Sequence, residues 1–369
     1  MPNQEVIVLG TTHHNTLGII RALGESPRHF RCVLMLYGEH QSYLSHSIYV
    51  SRTCFVESSD GIADALLNLA TNEKQVIIAV TDEAVHQLDL NAERLSPYFH
   101  FFGTKEVGQL TRYMDKLEQD KTAESIGMNV PANYTPDSIG YPCLLKPLAS
   151  IAGGKRVLIC RSKEDYDKYI AQFSTTTFQI QQYLTKDQEI VLVGLSINGE
   201  VYIPAYVLKH RENAGGTTYS TIHPIDEMDE TLVSKSKQLI EAIGYEGLFG
   251  IEFIRCIDKY WFIEVNFRSD ATCYSVVVAG VNLPCVYVLA KQGENIQQAV
   301  TSPVHTIDAM VEFRDFMFVL KRKIGLLDWL RQRRKCKCLY YYSQSDPKPY
   351  QINKKNMWKR IISGVTKRL

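Results

Sequence analysis

No run of about 18 apolar residues, the length that crosses a bilayer as a helix, occurs in the 369-residue chain. Its opening Met1-Pro2-Asn3-Gln4-Glu5 leads straight into a short strand-like run. A charged segment followed by an apolar one, the mark of an export signal, is missing there, so the expected location is the cytoplasm. No CxxC pair occurs among the nine cysteines. Their odd number, and the placing of Cys32, Cys143, Cys160 and Cys256 inside apolar runs, exclude a disulfide framework or zinc site and make these residues small hydrophobes. The GxGxxG spacing is also missing after the first strand, and no phosphate-cradling lysine follows the Gly10-Thr-Thr-His-His loop. That loop reads as a scaffold or a substrate-side wall, not a dinucleotide site.

What is present is an ordinary hydrophobic content of 45%, enough for two or three packed layers. The balance of 41 basic and 40 acidic residues conceals a segregation. Residues 319–369 hold 15 Lys or Arg against Asp328 and Asp346, a net of +13, which leaves 26 basic and 38 acidic residues, or −12, before them. A basic tail of this kind suits an anionic surface, such as lipid headgroups at the inner face of the membrane. The alternative is that Trp329, Trp358 and the neighbouring tyrosines pack on the body and leave the charges solvated.

Glu5 to Gly10 is a buried-type strand, Leu17 to Leu23 has helical spacing, and strand-like runs recur at Cys32 to Tyr37 and Gln75 to Val80. This alternation predicts a parallel α/β domain over 1–103. Thr111 to Gly127 reads as one helix with Lys116 early in it. From Tyr141 short alternating strands take over, at 143–146, 156–160, 189–197 and 201–208, followed by a helix from Thr231 to Ile243. The fold class is therefore α/β followed by α+β with antiparallel hairpins, over 104–300. The region 301–369 has no clear period.

The strongest chemical signal is the hairpin Gly250 to Asn266. With Asp258 at the centre of its turn, Glu252 lies opposite Glu264, with Cβ atoms about 5 Å apart. Like charges opposed among apolar residues imply a cation between them. Alternation puts Asn266, Arg268 and Phe262 on the face of Glu264. Two carboxylates and an amide oxygen suit Mg²⁺, which takes its other ligands from phosphates, and Arg268 is placed to meet a phosphate. A second signal is Lys146 at a strand end before a loop with Gly153, Gly154 and Lys155, where backbone N–H groups and a fixed charge can cover phosphates. Lys209 and Arg211, two apart at a strand end beside Gly215 and Gly216, read as a clamp for a substrate carboxylate.

The order Lys116, Lys146 with its glycine loop, Gln181-Gln182-Tyr183-Leu184, then Glu252, Glu264, Asn266 and Arg268 resembles the ATP-grasp superfamily over about residues 105–290. The resemblance implies a pre-ATP-grasp domain followed by two antiparallel-sheet subdomains, the lid at about 140–187, with ATP and Mg²⁺ between them. Lys116 and Lys146 would lie on the phosphates, Gly153 and Gly154 would form the lid loop, backbone groups of Gln182 and Leu184 would hold adenine, and Glu189 would face the nucleotide or ribose. Gln181 stands where the family usually has a hinge glutamate. Weaker features in order along the chain, among them Thr81-Asp-Glu83, Ala279-Gly-Val-Asn-Leu-Pro284 and Asp346-Pro-Lys-Pro349, are similar to D-aspartate ligases and related carboxylate-amine ligases that modify cell-wall precursors. That likeness implies an amide-forming ligase working through an acyl phosphate on an amino acid and an amine acceptor. Two alternatives stand beside it: carboxylation of an amine as in biotin-carboxylase-like relatives, although no Met-Lys-Met biotin-carrier signature is present, and nucleic-acid binding by the tail with a non-catalytic ATP site.

Overall fold

The computed structural model describes residues 5–147, 157–172, 178–213 and 216–366. The first domain is a parallel sheet of five strands, β1 (Glu5–Gly10), β2 (Arg31–Tyr37), β3 (Val50–Val56), β4 (Gln75–Ala79) and β5 (Phe99–His100), in the order β3-β2-β1-β4-β5. The sequence predicts three of these. β3 escapes notice because it is an edge strand whose Ser51 and Arg52 are exposed, and β5 is only two residues long. The helix His14–Gly24 is buried along its whole length. At Gly18 a Cβ would sit 2.6 Å from that of Tyr274, so glycine lets the helix Cys273–Ala279 pack closely on it.

The single helix expected over 111–127 is broken into Gln109–Tyr113 and Lys116–Ser125. Asp115 caps the second, accepting from the Leu117 N–H at 2.8 Å, so Lys116 opens a helix instead of riding on one. A sheet of four short strands follows: β6 (Asn133–Tyr134), β7 (Cys143–Pro147), β8 (Leu158–Cys160) and β9 (Phe178–Gln182), in the order β6-β9-β7-β8. Cys143, Leu145, Cys160 and Ile180 form a small core of its own, apart from the main one. A subdomain with a separate core can move as a unit over a site.

The main sheet contains β10 (Gln188–Ile197), β11 (Glu200–Asn213), β12 (Gly216–Pro224), β13 (Gly247–Cys256), β14 (Lys259–Asn266), β15 (Ile307–Met310) and β16 (Cys338–Leu339), ordered β14-β13-β10-β11-β12-β15-β16. The predicted helix is present as Glu230–Ile243 and stops at Gly244, whose φ of 68° a side chain would resist. All nine cysteines are free. No single described helix is long and apolar enough to span a bilayer.

The region beyond residue 300, unreadable in the sequence, is built from short elements stitched to both domains. β15 extends the main sheet beside β12, and β16 runs parallel to β15. The chain then returns to the first domain, where Asp346 meets Arg21 at 3.2 Å, both side chains fully buried. Arg21 also donates to the carbonyls of Tyr340, Tyr341 and Asp346, at 2.9, 3.0 and 3.0 Å, and Asp346 accepts from the Ser47 hydroxyl and the Ile48 N–H. Removing one partner of a buried pair strands the other charge, at a cost of about 3–5 kcal/mol. Asp346→Ala should lower unfolding free energy by about that much in urea denaturation, and a loss below about 1 kcal/mol would mean that water reaches Arg21.

Candidate active site

The hairpin β13–β14 turns at Ile257 and Asp258, both with positive φ, 48° and 58°. This two-residue turn sets Cys256 opposite Lys259, one position off the register expected from a turn centred on Asp258. An irregularity next to Glu252, where Ile263 is the extra residue, restores it, and Glu252 does face Glu264 as Gly250 faces Asn266. The bulge also moves Phe262 to the opposite face, opposite Phe253 with ring centres 6.1 Å apart. Its expected place beside Glu264 is thus corrected: the carboxylates are walled by the cleft, not by that ring.

Cations already bracket the carboxylates. Lys116 Nζ lies 2.7 Å from Glu264 and Lys209 Nζ 2.9 Å from Glu252. Asn266 donates to Glu252 at 3.2 Å and accepts from Arg268 at 3.1 Å. Burial, which outweighs Lys209, pushes the Glu252 carboxyl up, with Glu264 adding to it. Burial would do the same to Glu264, but Lys116 overcomes it and holds that carboxyl below its ordinary range. Hard oxygen donors of this kind, two carboxylates and an amide oxygen, fit Mg²⁺, which would draw its remaining ligands from water and phosphate; no group of three His, Cys, Asp or Glu side chains that could hold a metal ion by itself lies among the described residues.

Lys146, on β7, is 7% exposed and donates to Gln181 Oε1. Burial, then the charge of Lys116, brings its pKa down to about 8. The Gln181 and Gln179 amides donate to Asp120 at 3.2 and 2.8 Å. The glutamine in place of the family's glutamate therefore has a physical reason. An amide can accept from Lys146 while donating to Asp120, which a carboxylate cannot do. It also means that the Gln181 side chain is occupied by Lys146 and Asp120, and only the backbone beyond it is left for other contacts. There the Gln182 N–H is taken by the Ala132 carbonyl at 2.8 Å and the Tyr183 N–H by that of Pro142 at 3.3 Å, while the Leu184 N–H has no partner among the described residues. Gly153, Gly154 and Gly215 lie outside the described residues.

The expected clamp of Lys209 and Arg211 does not form. The strand is irregular on both sides of Arg211, and the two side chains have different partners. Lys209 bridges Glu189 and Glu252; Arg211 is held bidentately by the buried Asp315 at 3.0 and 2.7 Å and lies over the Tyr219 ring. Glu189 is itself shared between Lys209 and Lys186. A cation that sequence reasoning missed lies nearby: Arg314 donates to His13 at 3.1 Å and Asn213 at 2.8 Å, and to no carboxylate among the described residues. Its helix has no readable period, so nothing in the sequence marks it.

Lys209, Glu252 and Arg268 open onto a cleft of about 310 Å³ that is also lined by Thr11, His13, Asn15, Thr81, Asp82, Gly216 and Thr217. Its far wall is the carboxyl ends of β1 and β4, where the order of the first sheet reverses and where open α/β sheets bind ligands. Arg268 crosses to Asp82 at 2.8 Å, and Asn15 donates to the Ser269 carbonyl at 2.8 Å. The loop after β14 thereby carries Arg268 to the wall of the first domain.

Residues 122–279 match the model of the ATP-grasp domain. The fold agrees over most of the chain. The N5-carboxyaminoimidazole synthetase from Staphylococcus aureus superposes with a TM-score of 0.67 at 14% identity, over 86% of this chain and 85% of that one. The L-amino acid ligase from Bacillus licheniformis gives 0.62 at 14% identity, over 84% and 80%. In sequence, the carbamoyl phosphate synthase large chain of Campylobacter jejuni is 29% identical over 57% of this chain and 21% of its own length. The chain thus spans about a fifth of that relative.

Proposed function

We propose that this protein is an ATP-dependent carboxylate-amine ligase that activates its acid as an acyl phosphate. The observation that carries the reading is the convergence of Glu252, Glu264 and Asn266 with Lys116, Lys146 and Arg268 beside the switch-point cleft, which Glu252 and Arg268 line. A free carboxylate is a poor electrophile, and magnesium ATP, when bound, supplies the phosphoryl group that turns one oxygen into a leaving group. Glu252, Glu264 and Asn266 would hold the ion. Lys116 and Lys146 give phosphate oxygens fixed positive charge. Arg268, oriented by Asp82 and Asn266, adds charge where phosphate side and cleft meet. His13, brought down to about 4 by burial and then by Arg314, is too weak a base to deprotonate an ammonium group, so it serves as the hydrogen-bond partner of Arg314. Arg314, in place of Arg211, is the cation we assign to a substrate carboxylate.

The finer reading, an amino acid joined to an amine of a cell-envelope precursor, rests on the sequence likeness to D-aspartate ligases. Relatives named for carbamoyl phosphate and N5-carboxyaminoimidazole ribonucleotide synthesis favour a second reading, in which the activated acid is bicarbonate. The test is Mg²⁺-dependent phosphate release from ATP across single D- and L-amino acids with hydroxylamine as trap. A hydroxamate with one acid is the expected result. Turnover that needs bicarbonate and no amino acid would select the second reading, and no turnover under either condition would count against both.

A further inference from the structure

Five large apolar side chains stand exposed within one short stretch: Met317 (40%), Leu320 (50%), Leu326 (50%), Leu327 (77%) and Leu330 (47%). They lie where the helix Glu312–Leu320 turns through Lys321-Arg322-Lys323 into the helix Leu326–Lys335. At about 100° per residue, Leu326, Leu330 and Arg334 form one line on the second helix, with Leu327 and Arg331 beside it. Trp329 points the other way, buried against Phe316 with ring centres 5.1 Å apart, and donates to Asp315 at 2.9 Å. The tail aromatic therefore packs on the body as one of the two expectations had it, while the leucines do not. Residues 316–337 hold eight Lys or Arg against Asp328 alone, a net of +7.

We propose that this corner is a docking surface for an anionic lipid bilayer. An apolar line at the centre of an exposed helix face, flanked by arginines and preceded by a basic turn, is the arrangement of a helix that lies in the headgroup plane. Nucleic acid would use the charges but would leave Leu327 in water. The corner is also held rigidly, since Asp315 ties its helix to Arg211, Thr218 and Trp329. The same helix carries Arg314, which donates to the cleft-lining His13 and lies six residues from Leu320, or about 9 Å of helix rise. Docking thus brings the cleft close to the membrane surface and suits a substrate held there. The docking itself does not depend on which reaction the cleft performs.

The experiment is sedimentation of the full chain with vesicles of phosphatidylcholine, alone or with about one third phosphatidylglycerol. Binding should be at least about tenfold stronger to the anionic vesicles, and Leu326→Ser/Leu327→Ser, which leaves every charge in place, should lose about tenfold or more of it. Both leucines are exposed, so the variant should keep the melting temperature and any ATP turnover on soluble substrates, which separates docking from the ligase reading. Equal binding to both vesicle types, or undiminished binding by the leucine variant, would overturn the proposal. A leucine variant that keeps both vesicle and duplex DNA binding would assign the face to polyanions in general.

Discussion

Glu264→Gln should reduce Mg²⁺-dependent ATP turnover by about a thousandfold or more, because the proposed site loses a charge that would hold the metal. The fold should survive. The substitution leaves Lys116 without its partner at 2.7 Å, which destabilises, but it also removes the like charge opposite Glu252, one of the influences that raise that carboxyl. The two effects oppose each other, so the unfolding free energy should move by less than about 2 kcal/mol. Glu264→Asp keeps the charge at shorter reach and should restore part of the rate at raised Mg²⁺ concentration. If Glu264→Gln turns over ATP at a rate near that of the parent while remaining folded, the metal assignment is lost.

Lys146→Met should cost about a hundredfold or more in turnover, since the proposed site loses a fixed cation for the transferring phosphate. The parent enzyme should also show a pH signature. Burial and Lys116 bring the Lys146 pKa to about 8, and a bound phosphate, by its negative charge, raises it again. Above that pH the free enzyme has lost the proton that the complex retains, so ATP binding takes up a proton and the dissociation constant rises, by at most about tenfold per pH unit. Calorimetry at about pH 8.5 in two buffers of different ionisation enthalpy reads that uptake directly. Lys146→Arg, charged throughout, should abolish it. Uptake that persists in the arginine variant would assign the titration to another group.

Much of this site can be read in the sequence because its central device is local. A hairpin of defined turn places Glu252 against Glu264, and a turn centred on Asp258 predicts the same pair as the true turn at Ile257 and Asp258, because the extra residue at Ile263 cancels the shift. What could not be read is non-local. Asp82 and Arg314 come from elements 186 and 46 residues away from Arg268 in sequence, and nothing in their own surroundings marks them. Lys209 and Arg211 illustrate the opposite failure. Alternation promised a shared face, but the strand is irregular at that point, and a buried carboxylate supplied by a helix a hundred residues later claims the arginine. The closing region defeated periodicity because β15 has four residues and β16 two, too few for any pattern to repeat.

The pair formed by Arg21 and Asp346 has a consequence for how the protein comes into being. Its partners are 325 residues apart in sequence, and every other group that satisfies the Arg21 side chain lies at Tyr340 or beyond. During synthesis the first domain emerges with a guanidinium in its interior and nothing to neutralise it. That domain can gather its apolar strands early, but it reaches its final form only when residues 340–346 have left the ribosome as well.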